Sequence, residues 1–242
     1  MSFIASADGP RSLLILLIAF FCGLGGCRGE PPRPLPRASL ERVLFLGNST
    51  TRHPQSPQIG WSGDWGMAAS APDKDFAHLV VQGLARQSGR ALKMMATNIA
   101  DFERGLGAYD IDERLKAELA FQPTLVIVAI GENARPLTSD AAKTAFEAGF
   151  RKLLLAVAKN RRTSLIVRSC FLTHNKAKDQ IMNRVCREFN GTWVDIHGLA
   201  REESNLARSE GTLRDEAGCH PGDRGMRAIA DAILRSITVV ND

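Results

Sequence analysis

The stretch RVLFLGNSTTR, residues 42–52, begins with mostly apolar residues, stops at Gly47 and continues with a polar group that includes Ser49. The apolar run predicts a buried β-strand, and the polar residues mark its end. A hydroxyl at such a strand end either caps a following helix or stands clear of the sheet as a nucleophile. Both roles are open for Ser49 on this stretch alone.

Four further apolar runs place this strand in an α/β domain. The run TLVIVAI, residues 124–130, is apolar almost throughout, which is typical of a parallel strand buried on both faces. Between the runs lie helices with apolar positions three and four residues apart, and the last of these stripes extends to Ile237. Strands that alternate with helices imply right-handed crossovers, so we expect a three-layer α/β/α sandwich with a five-stranded parallel sheet in the flavodoxin-like order 2-1-3-4-5. The predicted strands are Arg42–Leu46, Leu92–Thr97, Thr124–Ile130, Ser164–Cys170 and Thr192–Ile196.

The first 40 residues have a different character. An apolar run, LLILLIAFFCGLGGC, follows Arg11, is short for a membrane span and ends in small residues before Cys27. It predicts a signal segment over residues 1–26. Residues 27–40 are rich in Pro and Arg and predict a stiff tether, which leaves one domain over residues 41–242.

Charge and cysteine content exclude several classes of function. The net charge of +5 is spread along the chain, with no basic stripe interleaved with aromatic residues, so nucleic-acid binding is not expected. Beyond Cys27 the cysteines are Cys170, Cys186 and Cys219, which lack the close paired spacing of a zinc site. We expect no metal and no cofactor. Buried thiols are the favoured interpretation of these cysteines, with a bridge between Cys170 and Cys186 as the alternative.

Polar residues follow the strands that should be neighbours in the sheet. Ligands of such sheets bind beyond the carboxyl ends of the strands, near the switch point beside the first one. Ser49 falls at this edge, as do Gly131 and Asn133 after the third strand and His220 before the last helix. Their convergence favours a nucleophile over a helix cap.

The connection that follows Ser49 runs about 25 residues, longer than an ordinary βα loop. It contains Trp61 and Trp65. Paired indoles near a nucleophilic serine could stack on a sugar ring, or they could pin the loop to the domain. The sequence favours neither role.

Three segments resemble the conserved blocks of the SGNH (GDSL-like) hydrolases. FLGNST is similar to their first block, AIGEN to their third and HPGDRGM to their fifth. The resemblance implies that Ser49 is the nucleophile, that His220 is its general base, and that the Ser49 backbone N–H and the Asn133 side-chain amide stabilise the oxyanion. Gly131 would let the chain turn closely enough to aim that amide.

The sequence departs from the family pattern at two positions. The aspartate that commonly lies three residues before the histidine is replaced by Ala217, so Glu216 or Asp215 would have to support His220, or a Ser-His dyad operates. The slot of the block-two glycine, which usually donates to the oxyanion, falls near Glu103, with Gly105 as the nearest glycine.

The resemblance therefore implies a serine esterase that cleaves an O-acyl ester, with an O-acetyl ester on a carbohydrate as one candidate. The alternative is a non-catalytic glycan-binding or acyl-transferring relative. The tetrad LGGC, residues 24–27, resembles the lipobox of bacterial lipoproteins and implies a lipid on Cys27 that holds the protein outside the cytoplasmic membrane. An ordinary cleaved signal peptide and an uncleaved anchor are the alternatives.

Overall fold

The apolar runs form a five-stranded parallel sheet in the computed structural model, which describes residues 31–159, 163–172, 176–211 and 218–241. The strand order is β3-β2-β4-β5-β6, which confirms the predicted order 2-1-3-4-5 because one short strand precedes the first predicted one. All neighbouring strands of this sheet are parallel. Strands β1 and β7 form a separate two-stranded sheet. The strands of both sheets are β1 (Arg33–Pro36), β2 (Arg42–Gly47), β3 (Lys93–Asn98), β4 (Leu125–Ala129), β5 (Ser164–Arg168), β6 (Thr192–Val194) and β7 (Ile237–Val240).

Helices cover both faces of the sheet and complete the α/β/α sandwich. The long helices α1 and α7 contact each other and share one apolar cluster with alternate residues of β2 and β4. The remaining residues of these strands face a second cluster together with α5 and α6. The helices are α1 (Phe76–Ser88), α2 (Ala100–Gly105), α3 (Ile111–Arg114), α4 (Lys116–Ala120), α5 (Asp140–Val157), α6 (Lys176–Glu188) and α7 (Asp223–Arg235).

The two ends of the domain differ from the sequence expectation. Helix α7 ends at Arg235, so Ile237 belongs to β7 and not to the last helix. Strand β1, inside the predicted tether, pairs in parallel with β7. Leu35 and Leu40 are buried, because leucines between the prolines and arginines find apolar cover on the domain. From Arg33 onward, the segment predicted as a stiff tether over residues 27–40 is therefore packed against the domain.

The predicted signal segment and Cys27 lie outside the described residues. None of the helices in the described ranges has the length and apolar character needed to span a membrane. No disulfide joins Cys170, Cys186 and Cys219, and the first two are buried, so the alternative of a bridge between Cys170 and Cys186 is wrong. Burial raises the pKa of the Cys170 thiol, which keeps it protonated and unreactive.

Candidate active site

Ser49 lies on a tight turn at the carboxyl end of β2. The Asn48 side chain accepts a hydrogen bond from the Thr50 N–H at 3.1 Å, and the Asn48 carbonyl accepts from the Thr51 N–H at 2.9 Å. A Cβ atom on Gly47 would lie 1.9 Å from the Thr51 hydroxyl oxygen, so only glycine fits this turn. The next helix along the chain, α1, is capped by Asp75. Ser49 is therefore not a helix cap.

The Ser49 hydroxyl is hydrogen-bonded to the His220 side chain. The Ser49 Oγ and His220 Nε2 atoms are 2.9 Å apart. The histidine precedes α7 on a segment that backbone bonds hold in place: the His220 carbonyl accepts from the Ala207 N–H at 2.9 Å, and the Gly222 N–H donates to the Asn205 carbonyl at 3.0 Å. This geometry lets the imidazole take the hydroxyl proton if Nε2 carries none.

Asn133 follows β4 and faces the same cleft as the serine and the histidine. Gly131, two residues earlier, has φ = +120°, and a Cβ atom there would lie 2.5 Å from the Cys170 Sγ. The Gly131 N–H donates to the Glu103 carboxyl at 2.8 Å. Gly131 therefore supports the turn that brings Asn133 to the cleft and is not itself a donor to a ligand.

The cleft has a volume of about 490 Å³, enough for a small ester or a sugar unit. Polar and apolar surface contribute about equally to its wall. The lining residues are Ser49, His53, Pro54, Met67, Asn98, Ala100, Asp101, Arg104, Asn133 and His220. Among the described backbone carbonyls, none is paired with the Ser49 N–H, so this donor is available beside the hydroxyl.

A buried network of charged side chains lies behind the two loops. Glu103 accepts from the Asn133 N–H at 2.7 Å and from the Asn48 side-chain amide at 3.1 Å. That amide also donates to Glu132 at 2.7 Å, and Glu132 pairs with Arg168 at 2.7 Å. The Arg168 and Glu132 side chains are 0% and 4% exposed. The network therefore joins the serine loop to the Asn133 loop without access to water.

The two acids of this network have opposite pKa shifts. Burial and the nearby charge of Glu132 raise the pKa of Glu103, although three hydrogen-bond donors oppose the shift. Burial also opposes ionisation of Glu132, but the Arg168 charge and the Phe171 N–H outweigh it and hold the pKa of Glu132 below its usual value. Glu132 is thus the charged partner of Arg168.

The indole pair fits the loop-packing interpretation. Trp61 is 7% exposed and donates its Nε1–H to the His53 carbonyl at 2.9 Å, and Trp65 donates to the Ala69 carbonyl at 2.9 Å. The two rings meet edge to face at 5.4 Å. Neither lines the cleft. These contacts favour the packing role within the loop, and stacking of Trp61 and Trp65 on a substrate stays a prediction.

The predicted acidic partners of His220, Glu216 and Asp215, lie outside the described residues, which end at 211 and resume at 218. The same holds for Ala217, so their roles stay predictions. Glu103 and Gly105, at the slot expected for the block-two donor, do not line the cleft, whereas Ala100, Asp101 and Arg104 of the same helix do. No group of three or more His, Cys, Asp or Glu side chains in the described ranges is arranged to hold a metal ion.

Sequence reasoning did not assign roles to Glu132, Arg168 and Arg104. Arg168 had a signal, because it is a charged residue at the end of the apolar run SLIVR. A charge in a central strand requires a buried partner. Glu132 lies inside the AIGEN segment, between the glycine and the asparagine of the motif, and carries no signal of its own.

Solved structures of esterases have a similar fold. A catalytic mutant of Axe2, an acetylxylan esterase from Geobacillus stearothermophilus, superposes with a TM-score of 0.52 at 19% identity, covering 81% of this chain and 93% of that one. A lipase/acylhydrolase from Enterococcus faecalis gives a TM-score of 0.53 at 14% identity over 81% and 94% of the two chains. A two-domain esterase active on acetylated mannans gives 0.54 at 14% identity over 84% of this chain and 52% of that one.

The chain has the fold of these esterases. No family model and no curated protein sequence matches it. The likeness therefore concerns the α/β/α architecture, and the chemistry has to be argued from the cleft.

Proposed function

We propose that the protein is a serine esterase of the SGNH type that hydrolyses an O-acyl ester through an acyl-enzyme on Ser49. The observation that carries this proposal is the 2.9 Å contact between the Ser49 Oγ and the His220 Nε2 in a cleft that Asn133 also lines. A serine hydroxyl is a weak nucleophile until an adjacent base accepts its proton. The contact supplies that base.

In this mechanism the Ser49 oxygen attacks the ester carbonyl carbon while the hydroxyl proton moves to His220. The carbonyl oxygen becomes an oxyanion, which the Asn133 side-chain amide and the Ser49 backbone N–H stabilise. The C–O bond to the alcohol then breaks, and the alcohol leaves with the proton from His220. Water attacks the acyl-serine with His220 as base, which releases the acid and restores the serine.

The favoured substrate is an O-acetyl ester on a carbohydrate. The structural neighbours include an acetylxylan esterase and an esterase active on acetylated mannans, and polar side chains that line the cleft, such as Asn98, Asp101 and Arg104, can hydrogen-bond to a hydroxylated substrate. The open cleft of about 490 Å³ leaves room for a sugar unit beside a short acyl group.

Turnover of 4-nitrophenyl acetate and of acetylated xylooligosaccharides by the purified protein tests this function. The wild-type chain should release acetate from both, and Ser49→Ala should reduce kcat by several orders of magnitude with little change in Tm. Ser139→Ala is the matched control, because Ser139 caps α5 through the Ala142 N–H at 3.2 Å. It should cost about 0.5–2 kcal/mol of stability and leave kcat unchanged.

A rate no higher than that of buffer would favour the non-catalytic glycan-binding alternative. Acetyl transfer to an added sugar in place of release to water would favour the acyl-transferring relative.

We also propose that the mature chain begins at Cys27 with a lipid anchor that holds the domain outside the cytoplasmic membrane. The LGGC tetrad supports this proposal. Cys27→Ser should move the protein out of the membrane fraction or leave it unprocessed. A wild-type chain found wholly soluble, with a different N-terminus, would contradict it.

A further inference from the structure

Asn133 is held from two sides by consecutive residues of α2. On one side its Nδ2 atom donates to the Glu103 Oε1 at 3.3 Å, and on the other its Oδ1 atom accepts from the Arg104 Nη2 at 3.3 Å. A carboxyl group faces the NH₂ end of the amide and a guanidinium faces the oxygen end. This pair of contacts assigns the orientation of the amide, because a flipped amide would place donor against donor and oxygen against oxygen.

Glu103 also fixes the backbone that carries this amide. Its Oε2 atom accepts from the Gly131 N–H at 2.8 Å and from the Asn133 N–H at 2.7 Å. The side chain is buried and does not line the cleft, whereas Asn133 and Arg104 do. Glu103 therefore acts from behind the loop and has no contact surface for a substrate.

An amide nitrogen carries two hydrogens. Glu103 accepts one of them, which leaves the second as a donor on the residue that lines the cleft. We propose that Glu103 and Arg104 are positioning residues that clamp the Asn133 side-chain amide so that its second N–H donates to the oxyanion. This inference rests on the proposed esterase function and adds to it the residues that preorganise the oxyanion donor.

The clamp explains why an acid occupies the slot where a block-two glycine was expected. Four N–H donors converge on the Glu103 carboxyl: those of Gly131 and Asn133, the Asn133 side-chain amide and the Asn48 side-chain amide. An ionised carboxylate, which only accepts, can bond all four, whereas a glutamine of the same shape would turn an NH₂ group toward other donors. The site therefore requires a hydrogen-bond acceptor and not only a side chain of this shape.

Steady-state kinetics on 4-nitrophenyl acetate test the clamp. Glu103→Gln should lower kcat by about 10²-fold with KM little changed, the effect of misplacing a catalytic group by roughly 1 Å. The matched control is Glu118→Gln, a buried acid that accepts from the Thr97 hydroxyl at 2.8 Å and has no contact with Asn133. It should retain kcat.

Arg104→Gln tests the exposed half of the clamp and does not depend on the folding of a core variant. It should lower kcat by less than Glu103→Gln does. Arg114→Gln is its control. Arg104 and Arg114 both pair with the Asp101 carboxylate, at 3.3 and 3.0 Å, but Arg114 does not line the cleft. If Glu103→Gln does not fold, the comparison of Arg104→Gln with Arg114→Gln decides.

A double-mutant cycle separates positioning from a general structural effect. If Glu103 acts through Asn133, Glu103→Gln combined with Asn133→Ala should be no slower than Asn133→Ala alone. Additive losses, or full kcat in both Glu103→Gln and Arg104→Gln, would overturn the clamp while wild-type turnover leaves the esterase function intact. An inactive wild-type enzyme would instead contradict the proposed function itself.

Discussion

The buried network behind the cleft and the long loop after Ser49 are held by ion pairs that differ in solvent exposure. Behind the cleft, Glu132 and Arg168 form an ion pair without solvent access. The loop, residues 53–75, is held on its outer side by pairs that reach water, such as Arg52 with Asp64, whose side chains are 46% and 49% exposed. The cost of breaking a charge pair depends on whether the abandoned charge can be hydrated. The network should therefore control stability and catalytic geometry, and the loop pairs should contribute little.

The largest stability effect should come from Arg168→Met. Removing the guanidinium leaves Glu132 as an uncompensated buried charge, which should reduce the free energy of unfolding by about 3–5 kcal/mol. Urea denaturation measures this loss. Adding Glu132→Gln should recover part of it. An Arg168→Met variant as stable as the wild type would remove the distinction between the two regions.

Asn133→Ala sharpens the comparison on the catalytic side. It deletes one oxyanion donor, so kcat should fall about 10²–10³-fold while KM changes little. The half-buried Asn133 side chain contributes no apolar core, so thermal unfolding should stay close to that of the wild type. A loss of stability without a loss of kcat would assign Asn133 to the scaffold.

His78 provides a pH-dependent test on the loop side. Its hydrogen bond to Asp75 at 2.9 Å, together with the Asp75 charge, outweighs partial burial and raises the pKa of His78 above 6.5. The stabilisation is therefore complete below pH 6.5 and is lost as the pH rises through the folded-state pKa. His78→Gln should lower Tm most at acidic pH, with a smaller difference at alkaline pH. His53→Gln, in the loop itself, serves as the control.

The smallest effect should come from Asp64→Asn. The substitution removes the ion pair between Arg52 and Asp64, whose atoms are 2.8 Å apart. In the wild-type chain the hydrogen bond to Arg52 lowers the pKa of Asp64, so the pair stabilises the folded state. Exposed pairs are screened by water and salt, so the loss should be less than about 1 kcal/mol. Chemical denaturation at low and high salt checks this. A loss as large as that of Arg168→Met would show that the loop pairs are not peripheral.

Periodicity predicted the sheet because each strand carries its own apolar signal. The run at β4 is apolar because that strand is buried on both faces, and the same holds for β2. The edge strands β1 and β7 were missed because they are four residues long and interrupted by Pro or attached to a helix. Such strands are defined by their pairing and not by a local pattern.

The candidate site was predictable to the extent that its residues follow strands. Ser49, Asn133 and His220 were placed at one edge by the parallel topology, and the motif resemblance gave each of them a role. The Glu103 contacts were not predictable, because a charged residue in a short helix reads as solvent-exposed unless the fold shows what covers it. At Trp61 the sequence left two roles open, because an indole carries no local signal that separates packing within its loop from contact with a ligand.

Labelling with a fluorophosphonate probe, followed by peptide mass spectrometry, tests the central claim most directly. The probe forms a covalent bond with an activated serine, so the adduct should map to Ser49 in the wild-type chain and should be absent from Ser49→Ala. Ser139→Ala should label like the wild type. An adduct on a different serine, or full esterase activity in Ser49→Ala, would contradict the account.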